Sequence, residues 1–401
     1  MNFIFISPQF PQTYWQFCDR LRKNGVNVLG IGDSSYDSLS WELKNSLNEY
    51  YKVDNLADYD QVYRAVAFFA FKYGKIDWIE SNNEFWLEQD ARLRTDFHVT
   101  TGIQYDEIEN WKHKSSMKIF YAKAGIPTAR CHHVSTKEDA AEFIAANGGY
   151  PMIAKPDVGV GAANTWKLEN PDDLDEFFRI KPDVPYLIEE FVEGTIFSYD
   201  AIVDSNSEPV FESMTSWPRP IADIVNKQLD LFYFTGAPMP DSLRKLGRAA
   251  LKSFNVHSRF VHLEFFRMDK ARAGLGEVGD FVGLEVNMRP AGGSTPDMIN
   301  YAYSTDVFQI WADMVAYDKR VLPESEEHHW CVYAGRKEYL FSYEHSHDEI
   351  MAKYGDKITM YEIRPEVTWD TMGSVSYTAH AFSEEEVYEF MRFVQAKKEN
   401  A

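Results

Sequence analysis

The sequence predicts a chain of mixed α/β and α+β class: a parallel α/β domain at the start, a larger central unit, and a small α+β lobe at the end. Three observations predict it. The chain opens strand, helix, strand, which is how a parallel sheet with crossover helices begins. Further on, Leu284, Val286 and Met288 alternate with Glu285, Asn287 and Arg289, giving a strand with one apolar face and one ionic face. From Trp330 the pattern changes to strand, helix, strand, strand, helix. At 401 residues the chain is too long for one ordinary core, and roughly two to four domains are expected.

In order, Asn2 to Ser7 reads as a strand, Thr13 to Lys23 as a helix and Val26 to Ile31 as a strand. The turn SPQFPQ is too bulky for close backbone approach to a pyrophosphate and carries no GxGxxG, which argues against a dinucleotide site here. Asp60 to Lys72 reads as a helix, Ile76 to Glu80 as a strand and Glu84 to Asp96 as a helix, closing the first domain near residue 105. Glu107 to Ala124 is a helix stopped by Gly125-Ile126-Pro127. On it Lys114 and Lys118 stand one turn apart, fit either for an anion between them or for a wet face. Ser135 and Glu138 form a capping-box pattern for a helix through Ala146. Tyr150 to Lys155 is a strand ending on a lysine, followed by a loop, Asp157 to Asn164, that contains Gly159, Gly161 and Ala162. Such a loop frees N–H groups for phosphate oxygens, although it is not a Walker loop. Strands follow at Thr165 to Leu168, Ser198 to Val203 and Glu208 to Ser216. Trp217 to Pro238 gives no periodic cue.

Asp241 to Phe254 is an amphipathic helix leading into the strand Val261 to Phe266 and, across a polar hairpin loop, the ionic strand. If the two strands pair antiparallel, Glu264 and Glu285 meet on one face, where two carboxylates repel unless a cation lies between them. With the Asn287 carbonyl they form a half-site for a hard divalent ion, and Arg289 faces whatever that ion holds. A solvated ionic face is the alternative. Ser304 to Tyr317 is a further helix. The last segment reads as strand Cys331 to Tyr339, helix Asp348 to Tyr354, strands Ile358 to Ile363 and Val375 to Phe382, and helix Glu384 to Lys397 with Ser383 and Glu386 as a capping box. His345 and His347 open the first of these helices, where polar residues serve capping better than metal.

Composition excludes several classes. A net charge of -21 argues against nucleic acid as a partner. No apolar run is long enough to span a bilayer, so no membrane association is expected. Three cysteines lie far apart without metal spacing, and MNFIFISPQF lacks a basic leader segment, so a cytoplasmic protein is expected.

Glu264 in an apolar strand, then Glu285-x-Asn287-x-Arg289 followed by Pro290 and Gly292-Gly293, resembles the metal-binding end of the ATP-grasp superfamily. Upstream, LIEEFVEG at Leu187 to Gly194 is similar to the linker between its two subdomains, and Lys114 stands eleven positions before the Gly-x-Pro, where the superfamily has a phosphate-binding lysine. Two positions depart from the pattern: His113 replaces a frequent aspartate, and Ile196 replaces a ribose-binding acid. The resemblance implies a pre-ATP-grasp domain over 1–105, a small subdomain with linker over 106–192, a large subdomain over 193–320 and a C-terminal lobe over 321–401. It further implies that Lys114, Lys155, Gly159, Gly161 and Ala162 hold the phosphates of ATP, and that the backbone of Glu189, Glu190, Phe191 and Val192 reads adenine. Glu264, Glu285 and Asn287 would hold Mg2+ (or Mn2+), and Arg289 would be catalytic. The implied reaction phosphorylates a carboxylate to an acyl phosphate that an amine then attacks, with small, amino-acid-like substrates. Bicarbonate activation, as in biotin carboxylases and carbamoyl phosphate synthetases, and a nucleotide-binding regulator without turnover are the alternatives. A homodimer is compatible with the sequence.

Overall fold

The computed structural model describes residues 1–159, 164–236 and 238–398. Among these described residues sixteen strands form three sheets, and the first is parallel. It contains β1 (Asn2–Ile6), β2 (Asn27–Gly32), β3 (Glu49–Lys52) and β4 (Trp78–Glu80) in the order β3-β2-β1-β4. The run FIFI of β1 is buried on both faces, as a central parallel strand requires. Helices Tyr59–Tyr73 and Leu87–Asp96 cover one face. The other is covered by helix Trp15–Lys23 and, from far along the chain, by helix Val307–Tyr317, whose Phe308 and Trp311 meet the Phe17 ring at 4.8 and 4.9 Å. The first domain thus shares its core with the central unit.

The second sheet is antiparallel and joins β5 (Cys131–Val134), β6 (Met152–Pro156), β7 (Trp166–Leu168) and β8 (Tyr186–Glu190) in the order β5-β8-β6-β7, with helices Lys137–Ala146 and Pro171–Ile180 packed on it. The third has eight strands, β9 (Gly194–Val203), β10 (Pro209–Trp217), β11 (Phe232–Thr235), β12 (Arg259–Met268), β13 (Phe281–Asn287), β14 (Trp330–Arg336), β15 (Ile358–Ile363) and β16 (Val375–Ala381). Its order, β13-β12-β9-β10-β11-β14-β16-β15, shows that the strands expected as a C-terminal lobe continue the central sheet through the β11–β14 pair.

Other elements depart from expectation for local reasons. The helix expected over Glu107 to Ala124 breaks at His113, which is extended (φ -87, ψ 117), so helix Lys114–Lys123 starts afresh at the lysine. Thr136, not Ser135, caps helix Lys137–Ala146, accepting from the Asp139 N–H. The helix expected from Ser304 starts only at Val307, because Ser304 is left-handed (φ 45) and ends helix Thr295–Tyr303. The unassigned stretch Trp217 to Pro238 holds helix Ile221–Asn226 and β11. His345 stacks on Phe393, and Ser346 caps helix His347–Tyr354 in a capping box with Glu349. Among the described residues no group of three or more His, Cys, Asp or Glu side chains could hold a metal. No helix among them is long and apolar enough to cross a membrane.

Candidate active site

A cavity of about 330 Å³ lies between the second sheet and the β9-β12-β13 end of the third. β12 and β13 pair so that Glu264 stands directly opposite Glu285, and His262 opposite Asn287. A bulge follows: Phe265 pairs with Gly283, leaving Leu284 as the extra residue. Strict alternation would bury Leu284 in the core, but the bulge leaves it half-buried on the cavity wall beside Glu285. Gly283 is needed at this point because an added Cβ would meet the Tyr121 ring at 2.9 Å. Through that close contact, and a bond from the Tyr121 hydroxyl to the Glu285 carbonyl (3.1 Å), helix Lys114–Lys123 is seated on the ionic strand.

The start of that helix is built by a residue distant in sequence. Asp157 accepts from the Ser115 N–H at 2.8 Å and the Ser115 hydroxyl at 3.0 Å, and contacts His113 Nδ1 at 2.9 Å. Its own carbonyl accepts from the Lys114 N–H at 3.0 Å. Asp157 is a cap supplied across space, which is why the chain can break at His113. Lys114 Nζ, so placed, donates to the Gly159 carbonyl at 2.8 Å and lies 3.0 Å from Glu285 Oε1.

Lys155, at the end of β6, is buried and lies 2.5 Å from Glu189 Oε1, whose other oxygen is 2.8 Å from Lys118. Burial disfavours the Glu189 carboxylate, but Lys118 and Lys155 outweigh it and hold its pKa down at about 2. Lys118 does not reach the cavity and instead donates to the Ala129 carbonyl at 2.7 Å. The Glu190 carboxylate is tied to Arg130 and Arg272, and Arg272 also donates to the Phe191 carbonyl at 2.9 Å. These bonds fix the backbone of the strand-to-strand passage. Val192 is buried on the cavity wall, and among the described residues neither its N–H nor its carbonyl has a hydrogen-bond partner.

Glu264 contacts His262 Nε2 at 3.0 Å, and His262 Nδ1 lies 2.6 Å from Asp200, itself fully buried on β9. Burial favours neutral His262, but Asp200 and then Glu264 prevail and raise its pKa to about 9. The Glu264 carboxyl is resisted by burial yet lowered, chiefly by His262. Arg289 donates to the Pro290 carbonyl at 2.8 Å and to Asn287 Oδ1 at 3.3 Å, and its Nε is 3.6 Å from Glu84. Burial raises the Glu84 pKa against the pull of Arg289. Two residues before Glu84, left-handed Asn82 (φ 53) is buried, and among the described residues neither of its side-chain polar atoms is hydrogen-bonded.

No family model matches the chain. The L-arginine-specific L-amino acid ligase of Bacillus subtilis is 24% identical over 311 residues, covering 75% of this chain and 71% of that protein. Among solved structures, the L-amino acid ligase from Bacillus licheniformis aligns with a TM-score of 0.67 at 13% identity, over 98% of this chain and 96% of that one. The N5-carboxyaminoimidazole synthetase from Staphylococcus aureus complexed with ADP aligns with a TM-score of 0.71 at 16% identity, over 98% and 96% of the two chains. The fold is the ATP-grasp fold.

Lys114, Lys155, Gly159, Glu189, Glu190, Phe191, Val192, Glu264, Glu285, Asn287 and Arg289 all line this cavity. Gly161 and Ala162 lie outside the described residues. The Glu189 and Glu190 side chains are engaged by neighbouring cations and leave only backbone on offer. Sequence reasoning missed Glu84 and Asn82, although they follow β4 at the C-terminal edge of the parallel sheet. There the strand order reverses around β1, the usual place for a ligand in such a sheet. It also missed Asp157, His262 and Asp200, which hold their partners through tertiary contacts. Helix Ile221–Asn226, another omission, brings Asp223 and Asn226 to the cavity wall that Ile196 also lines.

Proposed function

We propose that the chain is an ATP-dependent carboxylate–amine ligase that converts a small, amino-acid-like carboxylate into an acyl phosphate and passes the acyl group to an amine. The observation that carries this reading is the convergence, in one cavity, of two lysines (Lys114 and Lys155) with the Glu264–Glu285 pair, Asn287 and Arg289. The ligases named in the two Bacillus comparisons and the ADP complex of the third support it.

In this reading Lys114 and Lys155 receive the phosphates, with Gly159 at the root of the glycine loop and Gly161 and Ala162 beyond it. The free Val192 backbone reads adenine, while Glu190 and Phe191, fixed by Arg130 and Arg272, hold that edge in place. Asp223 and Asn226 offer the ribose hydroxyls the polar partners that Ile196 cannot. The donor set suits Mg2+: two opposed carboxylates and an amide oxygen, all hard ligands, with charge at present balanced by Lys114 and His262. Bound there, the ion offsets charge on the phosphates and orients them for transfer. The chain supplies placement and charge neutralisation, which is most of what phosphoryl transfer demands. Arg289 can bridge a phosphoryl oxygen and the acceptor carboxylate with its planar fork. Glu84, beside Arg289, accepts an ammonium on the acceptor, and Asn82 supplies further hydrogen bonds. The division at residues 105 and 192, a cytoplasmic setting and a homodimer belong to the same proposal.

A matrix of carboxylates against amines, read by ADP release and then by product mass, tests it. The expected outcome is ADP release that requires both Mg2+ and an amino acid, with a condensed product in the presence of an amine. ADP release driven by bicarbonate alone, or by no carboxylate at all, would contradict the ligase reading.

A further inference from the structure

A second cavity, of about 600 Å³, shares no lining residue with the first. Its β10 lining, Pro209 to Glu212, precedes the two residues, Thr215 and Ser216, that pair with β11, so this cavity lies at the unpaired edge of β10, whereas the first is lined from β9, β12 and β13. Its size falls within the range of small-molecule sites, about 300–1,000 Å³. The walls are unusual for a chain of net charge -21, because Arg244, Arg248 and Arg320 converge there.

Their charges are unequally compensated. Arg248 and the Tyr199 hydroxyl (2.7 Å) take up Glu212, with Arg248 Nε at 2.9 Å from one of its oxygens. Arg244 is left with contacts beyond hydrogen-bond reach or at its limit: 3.8 Å to that same glutamate and 3.5 Å to a fully exposed Asp241. Its Nε is shielded from solvent and, among the described residues, donates to nothing. The Arg320 guanidinium is pinned by the carbonyls of Leu322 (2.7 Å) and Pro323 (2.9 Å), and its nearest carboxylate, Glu324, is 3.5 Å away and 84% exposed. Burial pushes the Arg320 pKa down against the opposing pull of Glu324 and Asp313. The Thr305 hydroxyl is likewise shielded and unpaired among the described residues, and Phe211 and Trp330 supply apolar wall. Three arginines face two glutamates, Glu212 and Glu324, on these walls, and a hollow with that excess of positive charge and aromatic walls is suited to an anion carrying an apolar body.

We propose that this cavity binds a small organic carboxylate, its carboxylate meeting Arg244 and Arg320 and its apolar or aromatic body lying against Phe211 and Trp330. The proposal does not depend on the ligase reading.

Fluorine NMR on the full chain with para-fluorophenylacetate, and with the neutral para-fluorophenylacetamide for comparison, tests it. The expected result is saturable binding of the acid and binding of the amide weaker by about tenfold or more. Binding of the acid should persist in Arg289→Ala, which disables the first cavity, and should weaken by about tenfold or more in Arg244→Gln. The acid–amide comparison needs no variant, so it stands even if a substitution unfolds the chain. Equal binding of acid and amide, binding abolished by Arg289→Ala, binding indifferent to Arg244→Gln in a chain that melts normally, or no saturation below about 10 mM would each overturn the proposal.

Discussion

At the scale of single residues, charge compensation decides what each group in the first cavity is free to do. Arg289 is anchored through the Pro290 carbonyl and Asn287 and held at 3.6 Å from Glu84, so its fork is aimed and only partly engaged. Arg289→Lys should leave ATP binding nearly intact and slow acyl phosphate formation by about a hundredfold, roughly 3 kcal/mol. Single-turnover kinetics beside a melting curve checks this: an arginine that merely steadies Glu84 would cost melting temperature and leave the rate unchanged. Lys155 and Lys118 share Glu189, but only Lys155 faces the cavity. Calorimetry should therefore show a large rise in the ATP dissociation constant for Lys155→Ala and a small one for Lys118→Ala; the opposite ranking would remove Lys155 from the phosphate site. Glu189 also sets an acid limit. Its pKa in the fold is about 2, below the ordinary 4.5, so its contribution is present above the ordinary value and is lost as pH falls from 4.5 through about 2. That contribution is on the order of 3 kcal/mol. Denaturant unfolding should show Glu189→Gln well below the unsubstituted chain near neutrality, with the gap closing at about pH 2. A gap that does not change with pH would mean that charge is not what Glu189 provides.

At the scale of elements, the position of Lys114 depends on a helix start that its own sequence neighbours do not supply. The first N–H groups of helix Lys114–Lys123 are taken by the backbone and side chain of Asp157, at the root of the glycine loop. Loss of a helix cap costs about 1–2 kcal/mol. Asp157→Ala should lower the melting point accordingly and also weaken ATP binding, because Lys114 is the first residue of the helix. Asp157→Asn keeps an acceptor and should retain most of the stability. Normal nucleotide affinity in a destabilised Asp157→Ala chain would separate the cap from the site. The β12–β13 bulge is a feature of the same scale, since it moves Leu284 from the core to the cavity wall without disturbing the Glu264–Glu285 pair.

At the scale of the whole molecule, the central sheet runs unbroken from β13 to β15. β11 pairs with β14 over Phe232 to Thr235, and Phe232 and Phe234 share a core with Val332, Tyr377 and Phe390. A chain ending at residue 320 would expose the β11 edge and strip this core from one side, leaving unpaired backbone and apolar surface. Such a truncation should be aggregated or molten by gel filtration and near-ultraviolet circular dichroism. A soluble truncated chain with a cooperative melt would show that residues beyond 320 form an independent unit.

The sequence by itself determined what periodicity and residue type can carry. The opening parallel α/β pattern, the two ionic positions on adjacent strands, the lysine at the end of β6 and the cap residue Ser383 are each written within a few neighbouring positions, where local geometry is set by the residues themselves. Tertiary structure alone decided the remainder. No local pattern announces that Asp157 caps a helix from 42 positions away, that Asp200 supports His262, or that Glu84 meets Arg289. Nor could strand periodicity show that β14 to β16 extend the central sheet, because a strand records which of its faces is buried and not which neighbour lies at its edge. Side chains separated in sequence acquire partners only when the fold closes around them, and at this cavity those partners determine which charges are already satisfied and which are left for a substrate.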